Sequence, residues 1–351
     1  MSNNENNESV TSLAQVWAKK YIQSLAVESG QTDPTDLKTV LSQPGRQITV
    51  TKLQEALRYT SAQAWAKTET LLAPEVQKHN INTNLIDPWQ ISVDSHALFD
   101  KTLDFYTQKS ALRPIAIASL ETETTSDFPS STKLATEIAK DVGRVRHKYT
   151  SKDPRVIGFV SMQFHYTGQM LLELLNPIEK ATIGSYFKVI DDHLYMPLQR
   201  AYEAAADHTY NSPELIAVRD LMPMTSEIAQ AICDNVIEMY PTYNCYNGKL
   251  PDPAIRASSI RDVEMFQIYL CLSVLEGNLA AIQEELFPLC VMLYPPLKVS
   301  WGLIRNMLRL LGQELAIRLN PTDMDQFRPY VKALWGMFSE EVLIDREAVA
   351  A

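Results

Sequence analysis

The chain has 351 residues, 46% of them apolar and 21% charged, with a formal charge of −10 and a pI near 5.2. That length and composition suit two ordinary domains with substantial cores and exclude a fibre or a wholly disordered chain. The acidic balance, with no Lys/Arg cluster, excludes nucleic acid as an expected partner, because binding phosphates needs a basic face.

Four cysteines, Cys233, Cys245, Cys271 and Cys290, are dispersed without a CxxC pair, so neither a disulfide framework nor a zinc ribbon is indicated. The opening MSNNENNES lacks the basic and apolar regions of a signal peptide, and no run of 18 apolar residues occurs. The expectation is a cytoplasmic protein with no membrane span.

After Met1, residues 2–9 offer nothing apolar to bury, and 1–9 are expected to be disordered. From there the spacing predicts helices. Leu13, Val16, Trp17, Tyr21, Ile22 and Leu25 recur at helical intervals, and Leu53, Ala56, Leu57, Ala64 and Leu71 do so before Pro74. These place a helical N-terminal region over 10–117. The Ser, Thr and acid-rich stretch 118–133, ASLETETTSDFPSSTK, reads as an exposed linker.

Beyond Pro154 apolar residues return at three- and four-residue steps over 159–175, 183–206, 216–222, 228–239, 260–275, 282–293 and 299–319. Pro223, Pro241, Pro253, Pro295-Pro296 and Pro321 fall between these segments, where a missing amide donor costs least. No period-two run competes, so the fold class is all-α. The helix count over 150–345 suits a globin-like domain better than a four-helix bundle.

The segment RASSIRDVEMFQIYL, residues 256–270, opens an apolar helix with two serines and an Arg261-Asp262 pair. Local chemistry accounts for it as a cap: Ser259 at the N-cap, Asp262 at the third helical position, its charge at the positive end of the helix dipole. The surrounding order supplies a second reading. Tyr240-Pro241, an irregular loop, Ala257-Ser258-Ser259-Ile260-Arg261-Asp262, the helix MFQIYLCLSVLEGN and then Glu284-Glu285 and Met292-Leu293-Tyr294 follow one another. This string resembles the chromophore region of the phycobiliproteins, the globin-related subunits of the phycobilisome. The resemblance covers roughly 175–320.

The resemblance implies a divergent phycobiliprotein-like member. The family's bilin-attachment cysteine is here Ser259, whose hydroxyl is no comparable nucleophile at neutral pH. By the match, Asp262 would take the bilin pyrrole N–H groups and Arg261 a propionate, with Tyr269 on the same helix; the family's basic residues just before the motif are replaced by Ala254 and Ile255. Cys245, in the loop NCYNGK, is the alternative thiol, against the simpler reading of a plain loop or buried thiol. Cys271 and Cys290 lie on apolar faces and read as core.

Two further groups carry chemistry. His165, in GFVSMQFHYTGQ, is a candidate axial haem ligand against the simpler reading of an amphipathic helix residue. Asp191-Asp192-His193 invites a metal or general-base role, but adjacent helical residues point about 100° apart and do not converge easily. No hydrolase elbow, P-loop, dinucleotide fingerprint or HExxH occurs.

The expected function is therefore a non-catalytic accessory, regulatory or assembly protein of photosynthetic light harvesting in a cyanobacterial-type cell, peripheral to the thylakoid. Its expected partners are phycobilisome or photosystem components, or a second globin-like subunit paired through helices of the 156–206 region, the equal alternative for that region being packing against residues 10–110. No cofactor is expected. The alternatives are a non-covalent bilin or tetrapyrrole binder and a lyase-like, tetrapyrrole-handling enzyme using Cys245 or His193.

Overall fold

A computed structural model of the chain describes residues 13–21, 24–25, 34–117 and 122–345. The chain divides into two units, Ala18–Tyr195 and Met196–Ala351 with Met1–Trp17. Both are helical, as the periodicity predicts.

In the first unit the helices begin where caps and prolines permit. After α1 (Pro34–Leu41), Ser42 caps α2 (Gln43–Lys78), its hydroxyl accepting from Gly45 N at 3.2 Å. Asp87 caps α3 (Pro88–Thr107) with Pro88 at the first turn, and Ser130 caps α4 (Ser131–Thr150). Then come α5 (Val156–Glu173) and α6 (Pro177–Tyr195). Asn176 and Glu179 exchange side-chain bonds with each other's backbone amides at 3.0 and 2.9 Å, a reciprocal capping box at the head of α6.

The apolar stripe of α2, Val50, Leu53, Leu57, Ala64 and Leu71, is buried, and α2 packs on α3 and α5. Each Val or Leu among them contributes roughly 1.5–3 kcal/mol by leaving water. Polar groups pin this packing. Arg46, 0% exposed, donates to the carbonyls of Tyr106, Leu41 and Gln108 and to Asp127. Gln163 on α5, also 0% exposed, donates across to Ser61 O and Oγ on α2 at 3.1 and 2.8 Å.

Three expectations need correction here. The stretch 118–133 is not a linker: Thr122–Ser126 is a strand (β3), antiparallel to β2 (Arg113–Ile117), which pairs in parallel with β1 (Ser24–Leu25), and α4 begins at Ser131. Its threonines suit extended backbone as well as they suit a loop; residues 118–121 lie outside the described residues, as do 1–9. The 10–117 region is no separate module, since α2 and α3 bury their stripes against α5 and α6. The division falls between Tyr195 and Met196, where the sequence placed it in 118–133, so the expected 150–345 domain is split and its 150–195 part belongs to the first unit. Finally, 183–206 is two helices: α6 stops at Tyr195, and Pro197, with no amide hydrogen to donate, precedes a new start.

The second unit runs α7 (Leu198–Ala205), α8 (Pro213–Leu221), a 3-10 turn (Met222–Met224) and α9 (Thr225–Met239). A hairpin of β4 (Asn244–Cys245) and β5 (Gly248–Lys249) leads to α10 (Pro253–Glu276). A π-helical turn (Ala281–Leu286) continues into α11 (Phe287–Leu293), followed by α12 (Trp301–Arg318) and α13 (Pro321–Met337). α10 is the axis of this core: Val263 to Leu275 are all buried, and α7, α8, α9 and α13 pack on it. It ends at Gly277, whose φ of 65° is the left-handed cap glycine adopts without strain.

Candidate functional site

α10 starts earlier than the motif suggests. Asp252, in extended backbone, is its N-cap and Pro253 its first residue; the Asp252 carboxylate accepts from Lys249 N at 2.7 Å, tying the hairpin to the helix. Ser259 is therefore not a cap. It lies about two turns inside the helix, and its hydroxyl donates to Ile255 O at 3.0 Å, as Ser258 does to Ala254 O at 3.1 Å. The apolar period starts at Ile260, so periodicity alone placed the helix start too late, and the stronger signal was Asp-Pro.

Along this helix the named residues separate. Arg261 is 9% exposed and Asp262 half-buried, on faces about 100° apart. Tyr269, fully buried two turns beyond Asp262, donates to Glu285 Oε1 at 2.5 Å. Glu285 sits on the π-helical turn, a rare backbone geometry inside a helical segment. Arg200 of α7 lies 3.6 Å from Glu285 and makes two bonds to Glu276, at 2.6 and 2.8 Å. This Tyr269–Glu285–Arg200–Glu276 cluster escaped sequence reasoning, although the adjacent pair Glu284-Glu285 in an apolar segment was its visible trace.

Cys245 is half-buried on β4, and burial followed by the Asp262 charge pushes its thiol pKa up. The same two causes head those that raise Cys233 of α9 to about 12. Cys290 of α11 is raised by burial and by Asp262, with a bond to Tyr294 acting the other way. Asp262 thus holds its negative charge near three thiols from three elements. Each stays a neutral thiol at physiological pH, which is the opposite of what a nucleophilic cysteine needs. Cys271, fully buried, is likewise pushed up by burial.

In the first unit, the Asp191-Asp192-His193 triplet is divided among different partners. Asp191 lies 3.1 Å from His165 Nδ1, so the two histidine motifs meet in a half-buried carboxylate–imidazole pair. Asp192, 0% exposed, accepts from Tyr21 OH at 2.9 Å and pairs with Lys20 at 3.2 Å and Lys188 at 3.0 Å. Burial works against the Asp192 carboxylate, but Lys188 and Lys20 outweigh it and hold the pKa below the usual range. His193 turns away, its Nδ1 2.9 Å from Val189 O and its ring stacked on Tyr21 at 6.3 Å between centroids; burial lowers its pKa to about 4. Among the described residues no group of three or more His, Cys, Asp or Glu is arranged to hold a metal ion.

The region 156–206 is not a free docking face over its first helix. Val156 to Phe164 are buried, and α5 packs on α2 and α6. Among the described residues no helix is long and apolar enough to cross a membrane. No family model matches the chain, and neither a curated protein nor a solved structure is detectably similar to it.

Proposed function

We propose that the chain is a non-catalytic accessory or assembly protein of photosynthetic light harvesting, whose second unit is a divergent phycobiliprotein-like globin that docks on phycobilisome or photosystem components. The observation that carries this reading is the state of α10. Ser259, at the position of the family's anchoring cysteine, turns its hydroxyl onto its own helix. The alternative thiol, Cys245, is held protonated by burial and by Asp262, as is Cys233. The all-helical second unit, with four helices packed on the buried α10, is compatible with a globin-like arrangement.

The lyase-like alternative has less support, because Cys245 is kept neutral and His193 is enclosed and bonded to backbone. The non-covalent bilin reading keeps one favourable observation, the half-buried carboxylate of Asp262 beside the hairpin. Two measurements separate them. Size-exclusion chromatography of the purified chain with isolated phycobilisome cores and rods is expected to give a co-eluting complex; separate elution from both, and from photosystem particles, rejects the docking role. Co-expression with a bilin-producing pathway is expected to leave the chain colourless. A visible band that shifts in Asp262→Asn and leaves the chain in acid urea would replace the proposal with non-covalent pigment binding.

A further inference from the structure

The first unit carries an open groove of about 320 Å³ between α3 and α4. Its floor is Ala97, Leu98 and Val145, and its rim carries Lys101, Arg144 and Lys148. The two helices run antiparallel here, since Lys101 pairs with Asp141 while Lys148 bonds to Asp94 at 2.6 Å. Asp94 also accepts from Tyr149 OH at 2.6 Å and from Gln90 Nε2 at 3.1 Å, and Asp141 accepts from both Lys101 and Arg144. The carboxylates are therefore engaged at the level of the helices, with their side chains 16% and 21% exposed, whereas the Lys101, Arg144 and Lys148 side chains are 54%, 79% and 44% exposed. Lys140, also exposed, continues the four-residue spacing of Arg144 and Lys148 along α4. Three cations against two carboxylates give the lining a small positive excess, with the cations, as its more exposed groups, forming a strip above an apolar floor in a chain of net charge −10.

An apolar shoulder adjoins it. Trp89 (73% exposed), Val93 and Ala97 recur every four residues on the outward side of α3 and lead to Lys101. From Trp89 to Lys101 the shoulder is about 18 Å long, three turns or so of helix. Asp104, one turn past Lys101 and exposed, ends the basic stretch.

The geometry points to a docking site for an acidic amphipathic helix of a partner protein, its apolar face on Ala97, Leu98, Val145 and the Trp89–Val93 shoulder, its carboxylates against Lys101, Arg144 and Lys148. Concavity, an apolar floor and a basic rim are the features by which a groove takes a helix. A flat anionic membrane fits less well, because the cations line a cleft and two carboxylates stand inside it.

The test uses the full chain and a fluorescein-labelled probe of ~18 residues with Leu at i, i+3, i+4 and i+7 and Glu elsewhere. Anisotropy titration is expected to give saturable binding that weakens with salt. Arg144→Glu with Lys148→Glu is expected to reduce affinity by at least about tenfold, while Lys332→Glu on α13 leaves it unchanged. Trp89→Ala, on an exposed shoulder and so not a threat to folding, is expected to weaken binding several-fold. Absence of saturable binding overturns the proposal, as does equal affinity for a sequence-scrambled probe of the same charge. Co-sedimentation with vesicles of phosphatidylglycerol and phosphatidylcholine, lost in the double charge reversal while the peptide stays unbound, assigns the strip to a membrane and likewise overturns it.

Discussion

Lowering the pH from 7 to 5 is expected to weaken the first unit through one side chain, His193. Its imidazole is enclosed, stacked on Tyr21 and bonded to Val189 O, and burial depresses its pKa from 6.5 to about 4. With Nδ1 facing the Val189 carbonyl, the neutral ring is accommodated with its proton on that nitrogen. The unfolded chain takes up a second proton as pH falls through 6.5, whereas the folded unit resists until about 4. In that window the unfolded state binds more protons, so stability is fully present above 6.5, falls steadily below it and levels off below about 4. At pH 5 the difference in proton uptake amounts to about 2 kcal/mol. Urea melts followed by far-UV circular dichroism at pH 7 and 5 measure it, with His193→Gln as the comparison in which this contribution disappears and the other five histidines remain. The variant should lose less stability on acidification by about that amount. An NMR titration of the wild-type His193 ring, neutral down to pH 5, gives the same answer where the variant folds poorly. Equal pH dependence in the two proteins, or a ring titrating near 6.5, refutes the reasoning.

Asp192→Asn keeps the shape of the side chain but removes the charge that Lys20 and Lys188 face, at an expected cost of about 2–4 kcal/mol in the same melts; Asp191→Asn, at a more exposed site, should cost under about 1 kcal/mol. Because the Asp192 pKa is held low, the wild-type advantage over Asp192→Asn should persist at pH 5 and disappear only as pH falls below the ordinary carboxylate range. Iodoacetamide at pH 8 should modify native Cys245 slowly, with Cys233, Cys271 and Cys290 protected. Asp262→Asn should accelerate Cys245 by removing a charge that raises its pKa, and an unchanged rate would remove Asp262 from the neighbourhood of that thiol.

The helical character was legible because periodicity is a local property: of the Leu53, Ala56, Leu57, Ala64, Leu71 set that the spacing of α2 picks out, all but the half-buried Ala56 are buried. Where local rules competed, the reading slipped. Ser259 and Asp262 satisfy a capping-box pattern, but Asp252-Pro253 satisfies an earlier helix start, and the helix took the earlier one. TETTS reads as polar linker or as strand with equal local merit, and only pairing with Arg113–Ile117 decides between them. Of the partners of Asp192 only Lys188, one helical turn before it, was within local reach; Lys20 and Tyr21 lie about 170 positions away and carry no periodic mark. The same holds for Glu285, whose bond to Tyr269 depends on a π-helical turn in a segment that reads as ordinary helix.

Those unread polar contacts do a different job from the apolar stripes. The stripes of α2, α5 and α6 repeat every turn, so hydrophobic burial alone tolerates a slip of one helix along another by about 5.4 Å. A slip of that size would carry Gln163 away from Ser61 and leave its buried amide unbonded, and a slip of α6 would draw Asp192 away from Tyr21 and Lys20. Each stranded group costs about 1–3 kcal/mol, more for the charged ones, while the correct register satisfies them together. Arg46 acts in the same way at the other end of α2, where its donors fit Tyr106, Gln108, Leu41 and Asp127 at one position only. Apolar spacing therefore supplies most of the stability of this unit, and a few buried polar groups select which of the nearly equivalent packings it adopts.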